Sequence, residues 1–308
     1  MIFTIFTPTY NRAATLLRAF HSLCAQTFRD FEWLIVDDGS TDDTRDRVLA
    51  FQASADFPIR YIWQENRHKK AAFNRGVREA RGELFVALDS DDELLPDTLE
   101  RLYRVWSGIP PENRDRYSAV TGLCARPDGS IVGGRYPRDR IDGTPEEMLY
   151  RYGVGGEKFG FQRTDVLRRF PFPEDIPGFV PESIVWSAIG RQGYLTRFVN
   201  EVMRVYHDTP DSLSRQGQAG AGTHALGLYL LARDVLQNHL RWFFHRPLAF
   251  LLAAARYTRF VCHLRRAGVR PPQGYGGLES WAARALVVLM WPVGMALFAR
   301  DLARGRAG

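Results

Sequence analysis

The chain has little cysteine: three residues, Cys24, Cys124 and Cys262, in 308. An odd number at wide spacing excludes a disulfide framework and offers no metal-ligand cluster, which fits a reducing cytosolic setting. Lysine is as scarce. Only Lys69, Lys70 and Lys158 occur among 41 basic residues, and arginine supplies the rest. No basic segment precedes the first apolar residues, so no secretory signal is expected. No internal repeat or low-complexity tract is visible. No run reaches the ~20 apolar residues that span a bilayer, the longest uncharged stretch of the C-terminal part being Ala285 to Ala299. No Gly-x-Gly-x-x-Gly follows the first apolar run, which excludes a dinucleotide-binding Rossmann enzyme.

What is present is an ordinary globular composition, 45% hydrophobic and 25% charged, able to bury a core. The formal net charge of +6 is unevenly placed. From Arg241 onward there are 11 arginines against 2 acids, whereas residues 1–240 hold 30 basic and 33 acidic groups. A basic tail that also carries the longest apolar stretch points to an anionic membrane surface and not to nucleic acid.

The most informative stretch is Leu84 to Leu95. Leu84 to Leu88 is uninterrupted apolar sequence, as a strand buried on both faces of a parallel sheet requires. Asp89, Asp91 and Asp92 follow within four residues, and carboxylates this close repel one another. A divalent cation relieves that repulsion, and hard oxygen donors suit Mg²⁺ or Mn²⁺ shared with a substrate diphosphate. An acidic turn in which Ser90 or Asp92 caps a helix from Pro96 to about Trp106 has the same local pattern.

Other strand ends carry further signals. Ile2 to Thr7 leads into Thr7-Pro8-Thr9-Tyr10-Asn11-Arg12, where Pro8 sets a turn and small hydroxyl residues allow a planar ligand to approach. Phe31 to Val36 ends in Asp37-Asp38-Gly39-Ser40-Thr41-Asp42. A carboxylate at such a strand end accepts from a ribose hydroxyl or a base N–H, while Asp42 and Asp43 read as helix caps. After Ile59 to Trp63, a helix starting near Lys69 would aim Lys69, Lys70 and its free N–H groups at an anion. Tyr117 to Arg126 and Ser130 to Arg135 read as a hairpin about Pro127-Asp128-Gly129, and Tyr194 to Tyr206 as a last strand.

These motifs, with Asn74-Arg75-Gly76 and Leu88-Asp89-Ser90-Asp91-Asp92, occur in an order that resembles the family 2 glycosyltransferases over roughly Met1 to His207. The resemblance implies a GT-A-like α/β fold, a mixed and mainly parallel sheet flanked by helices, here with a C-terminal helical extension. It also implies an inverting transfer from a nucleotide-diphospho-sugar, usually a UDP-sugar. Thr7, Thr9, Tyr10, Asp38 and Lys70 fall where that family contacts base and ribose. Pro8, Asp37, Lys69, Asn74 and Ser90 belong to the same donor-side motifs, Asp89 and Asp91 fall at the metal–diphosphate motif, and His207 stands where many GT-A enzymes add a histidine. The family's base comes from an acidic pair at a helix start. Here Glu182 is followed by Ser183, so Glu182 is the first choice and Glu157 the second.

The expected organisation is a catalytic domain over residues 1–210, a linker or flap over 211–222, and a helical, basic, membrane-associating tail over 223–308. The tail reads as helices from Leu226 to Phe244, Leu248 to Leu264 and Ala285 to Ala299. The last is too short to span and flanked by arginine and tryptophan, so an interfacial or re-entrant helix is expected. The implied acceptor is a hydroxyl of a lipid-linked saccharide, and the implied location is the inner face of the cell membrane. A non-catalytic donor-binding scaffold in a membrane complex is the alternative.

Overall fold

The structure is a computed structural model and describes residues 1–207 and 224–305. Its first half alternates strand and helix: β1 (Phe3–Thr9), α1 (Leu16–Cys24), β2 (Phe31–Asp37), α2 (Thr44–Ser54), β3 (Ile59–Trp63), α3 (His68–Glu79) and β4 (Leu84–Ala87). After these come β5 (Glu93–Leu94), α4 (Thr98–Ser107), β6 (Tyr117–Ala125), β7 (Arg140–Gly143), β8 (Lys158–Arg163), α5 (Thr164–Arg169), α6 (Ser183–Arg191) and β9 (Leu195–Val205). The strands form one sheet in the order β3-β2-β1-β4-β8-β6-β9-β5, with β7 on β9.

β1 to β4 pair in parallel, and every residue of β2 is buried, as helices on both faces require. Leu16, Ala19, Phe20 and Leu23 of α1 turn one face inward. There Phe20 stacks on Phe51 at 4.2 Å and lies beside Trp33. On the other face, Gly76 of α3 lies against the Phe6 ring, where any Cβ would collide. That contact brings the start of α3 close to the end of β1. The chain runs outward from β1 to β2 and β3, then crosses to β4 on the opposite side of β1. The switch point therefore lies between β1 and β4, the place where open α/β sheets hold ligands outside their strand ends.

The beginning of β4 is fastened by Glu32, a fully buried carboxylate on β2. It accepts from Thr4 Oγ1 at 2.8 Å and from the Arg81 backbone N–H at 2.9 Å, and it pairs with Arg60. Gly82 follows, packed so tightly on the Phe3 and Thr4 backbone that no side chain fits.

Two expectations for this half are corrected. The turn at Pro127-Asp128-Gly129 forms, with Gly129 at φ +81° and Arg126 N donating to Ser130 O at 2.8 Å. Beyond it only a single bridge joins Ala125 to Ile131. The reason is that β8 takes that edge of β6 from Ala119 to Leu123, so pairing with Ser130–Arg135 stops once the Val132 N–H has donated to the Cys124 carbonyl at 2.9 Å. Nor does Ser90 or Asp92 cap a helix: the short β5 intervenes, and α4 begins at Thr98 with Asp97 at its N-cap.

The chain divides into two compact units, one of Met1–Phe172 with Ala188–Asp208 and one of Pro173–Ser187 with Thr209–Gly308. Residues Pro173–Ser187, expected within the first domain, thus group with the tail. Gly227 lies directly on the Phe179 carbonyl, and Ser187 Oγ donates to Asp234 at 2.9 Å. The expected linker at 211–222 lies outside the described residues.

In the second unit α7 spans Ala225–Asn238, α8 Pro247–Arg266 and α9 Trp281–Ala303. The helix expected from Leu226 to Phe244 stops at Asn238 and tightens into a 3-10 turn over Leu240–His245. Pro247 disfavours helical backbone just before it. The helix expected over Ala285–Ala299 extends to 23 residues, capped by Ser280 and kept continuous across Pro292.

The β6–β8 contact yields a first prediction. A Cβ on Gly160 would overlap the Val120 carbonyl oxygen. Gly160→Ala should lower unfolding stability by about 1–3 kcal/mol, the cost of overpacking a close-packed interior, measured by urea titration.

Candidate functional site

Three parallel strands end level with one another, Thr9 pairing with Asp37 and Asp37 with Trp63. The loops beyond them are stitched together. Asn11, at φ +52°, accepts from the Thr41 backbone N–H through Oδ1 and donates its own N–H to Ser40 Oγ, each at 2.8 Å. Asp42 accepts from the N–H groups of both Ala13 and Thr44, so it joins the β1 loop to the start of α2.

The carboxylates at the end of β2 are engaged by the protein. Asp37 accepts from Tyr61 OH at 2.6 Å and from Ser40 N at 2.8 Å. Burial and the Asp37 charge raise the Tyr61 phenol above its usual range, so it stays a donor. Asp38 accepts from Gln64 Nε2 at 2.7 Å and Arg67 N at 2.9 Å, which fixes the approach to α3.

On β1, Thr7 spends its hydroxyl in the core, accepting from Trp33 Nε1 at 2.9 Å. Thr9 differs: its hydroxyl is buried and has no hydrogen-bond partner among the described residues. Buried polar groups are nearly always satisfied, so an orphan at a strand end marks a place for a ligand or water. Tyr10, just beyond, is half exposed.

At the end of β4 the carboxylates find basic partners. Asp89 Oδ1 lies 2.8 Å from Lys69 Nζ, with 42% of the Asp89 side chain still accessible. Burial opposes its charge, but Lys69, Arg204 and Arg12 outweigh that and hold the carboxyl below the usual range. Ser90 and Asp92 are buried. Asp92, 2% exposed, accepts from Arg204 Nη1 at 3.0 Å and from the His207 N–H at 3.1 Å. Burial pushes its pKa up to about 7, with Arg204 opposing and Asp89 and Asp91 adding to the rise. Arg18 Nη1 donates to the Asp91 carbonyl.

Arg204 was not anticipated. Its side chain is 5% exposed, sandwiched over the Phe159 and Tyr206 rings, and it also reaches Glu157 at 3.4 Å. Opposing burial, its acidic neighbours keep it charged. Its sequence signal was present but weak: a lone charge within the apolar alternation of Val202 to Tyr206.

The remaining candidates are placed as follows. Lys69 and Lys70 both lie in the first turn of α3, and Lys70 is buried. Asn74 is buried and exchanges hydrogen bonds of 2.9 Å with both backbone groups of Phe172. His207 Nε2 stands 3.3 Å from Glu93. Glu157 joins the Asp92–Arg204 pair. Glu182 lies exposed just before α6, in the segment that belongs to the second unit. Lys158 Nζ donates to the Gly155 and Val132 carbonyls, and burial lowers its pKa.

Among the described residues no three His, Cys, Asp or Glu side chains converge as a metal-holding group. Asp89, Asp91 and His207 therefore do not make a closed protein cage. An accessible Asp89 with Asp91 two residues on would suit a hard cation of the kind that takes one or two carboxylates and completes its shell from substrate phosphate and water. The residues fit that kind of site.

A strand-end site at a switch point, built from acidic turns and a lysine-bearing helix start, has the form of a ligand site in an open α/β sheet. The profile of glycosyl transferase family 2 matches residues 4–169, more than half of the chain, and the protein belongs to that family. A glucosyltransferase of Campylobacter jejuni, named for acting on GalNAc(5)-diNAcBac-PP-undecaprenol, is 27% identical over 77% of this chain and 75% of its own length. A glycosyltransferase of Nostoc sp. is 42% identical over 106 residues, so the chain matches only 33% of that relative. Among solved structures, Staphylococcus aureus TarS in complex with UDP-GlcNAc has a TM-score of 0.61 at 16% identity, covering 100% of this chain and 88% of that one. A Pyrobaculum calidifontis mannosyltransferase in complex with GDP-Man and Mn²⁺ has a TM-score of 0.59 at 20% identity, covering 99% and 84%. These neighbours establish the GT-A fold.

Arg204 provides the second prediction. Arg204→Leu leaves Asp92 buried without its charge partner and should cost about 3–5 kcal/mol of unfolding stability. Adding Asp92→Leu removes both charges and should restore most of the loss in the same urea titration.

Proposed function

We propose that this protein is an inverting glycosyltransferase that moves a sugar from a nucleotide diphosphate, a UDP-sugar, to a hydroxyl of a lipid-linked saccharide. The observation that carries this reading is the accessible Asp89 at the β1–β4 switch point, surrounded by Lys69, Arg12 and Arg204. That arrangement offers a carboxylate for a cation and, with Lys69 and Arg12, cations for a diphosphate, while Arg204 stays committed to Asp92 and Glu157 beneath. The unpartnered Thr9 hydroxyl and exposed Tyr10 give the base and ribose a polar and a planar contact. The Campylobacter relative, whose name specifies an undecaprenol-linked acceptor, supports the acceptor class.

In this reading Asp89 and Asp91 hold Mn²⁺ or Mg²⁺, which supplies charge stabilisation at the leaving diphosphate when bound. Lys69, 2.8 Å from Asp89, would offer its ammonium to the diphosphate. The first turn of α3 adds backbone N–H groups that favour the same anion. Glu182 takes the proton of the attacking acceptor hydroxyl, and Glu157, held by Arg204, is the second candidate. Positioning and electrostatic stabilisation contribute more than the base. The basic second unit keeps the protein peripheral on the inner face of the membrane, where lipid-linked acceptors are met.

Asp91→Ala should abolish transfer and the metal-dependent part of UDP binding while thermal unfolding without ligand stays unchanged. Calorimetric UDP titration with Mn²⁺ checks this, and an unaltered affinity refutes the metal assignment. Glu182→Gln should lower kcat by ~10²-fold or more with donor binding preserved. If Glu157→Gln has that effect and Glu182→Gln does not, the base is Glu157.

A further inference from the structure

α9 is the one described helix long and apolar enough to cross a membrane, and only 11% of its most apolar window is buried. Its buried positions form a stripe: Ala283, Gly294 and Asp301. Along that stripe it is fastened to α8. Gly294 lies so close to α8 that a Cβ would stand 2.5 Å from Thr258 Cβ and 2.7 Å from the Ala255 carbonyl. Toward the end, Asp301 takes both Arg259 Nε and Nη2, and His263 Nε2 at 3.0 Å. Residues later in α8 meet residues later in α9, so the two helices run alongside each other in the same direction.

The opposite face of α9 is apolar and open, with Trp281 81%, Val288 75% and Leu289 66% exposed. Arg284, Arg300 and Arg304, all exposed, flank it. An apolar face bordered by arginine matches an anionic lipid surface, where acyl chains meet the one and phosphates the other.

Resting on the membrane association proposed above, we infer that α9 lies in the plane of the bilayer interface as a one-sided anchor and does not span it. The reason is the partner helix. Gly294 sits near the middle of α9, so a spanning α9 would carry the Ala255–Thr258 turn of α8 to the middle of the bilayer. Exposed Arg256 lies in that turn, and a charged side chain at the bilayer centre is strongly disfavoured. Lying flat, α9 inserts Val288 and Leu289 while α8 stays on the water side and its arginines remain hydrated.

The test uses the full chain with Cys24→Ser, Cys124→Ala and Cys262→Ser, and Leu289→Cys carrying an environment-sensitive NBD label. UDP binding serves as the check of folding. It is mixed with vesicles of phosphatidylcholine and phosphatidylglycerol containing nitroxide lipids quenching either near the head group or near the chain ends. In-plane insertion predicts blue-shifted emission quenched more by the shallow nitroxide, and pelleting of the unlabelled natural chain that high salt weakens without eliminating. Stronger quenching by the deep nitroxide overturns the in-plane inference and leaves membrane association standing. Failure of the natural chain to pellet with these vesicles at low salt overturns membrane association itself.

Discussion

Three carboxylates at the end of a buried strand are unstable unless cations surround them, and much of the first unit is arranged to supply those cations. Lys69 arrives from the first turn of α3, Arg204 from β9 and Arg12 from the loop after β1. Each comes from a different part of the chain, so forming this cluster requires β1, β4 and β9 to be in place together. The buried Asp92–Arg204 pair is the structural part of the arrangement, with its charges sealed under Phe159 and Tyr206. Asp89, by contrast, is partly accessible and pairs with Lys69.

The same division between structural and available groups recurs at the other strand ends. Asp37, Asp38 and the Thr7 hydroxyl are satisfied within the protein, whereas the Thr9 hydroxyl finds no partner among the described residues. Several motif residues of this chain hold the protein together, which sequence alone does not reveal. Asn11, Ser40, Thr41 and Asp42 stitch loops to one another, and Asn74 clamps the Phe172 backbone. These bonds fix the loops at the strand ends.

The second unit follows a different logic. The described arginines in its last 68 residues are exposed, with one exception. Arg259 is drawn into a bidentate pair with Asp301, one of only two acids in the last 68 residues, with His263 on the same carboxylate. That cluster joins α8 to α9 at one end while Gly294 allows close approach further along. The apolar residues of α9 are thereby divided into a packed stripe and an exposed face.

The sequence by itself determined the parallel half of the sheet, the strand-end placement of Asp37 and Asp89 and the helix that begins at the two lysines. Apolar periodicity and abrupt acidic stops are local signals, and local signals survive without neighbours. The basic, apolar character of the tail was equally legible from composition. Only the tertiary structure decided what those side chains contact. Ser130–Arg135 reads as a strand but finds most of that β6 edge taken by β8, β7 and β5 are too short to announce themselves, and Arg204 looks like any strand charge until Asp92 is placed against it. Whether a helix face is core or surface likewise depends on what packs there: Ala285–Ala299 is uniformly apolar, and only its contact with α8 separates the two faces. Pairing, edge occupancy and burial depend on residues far apart in the chain, so no single stretch encodes them.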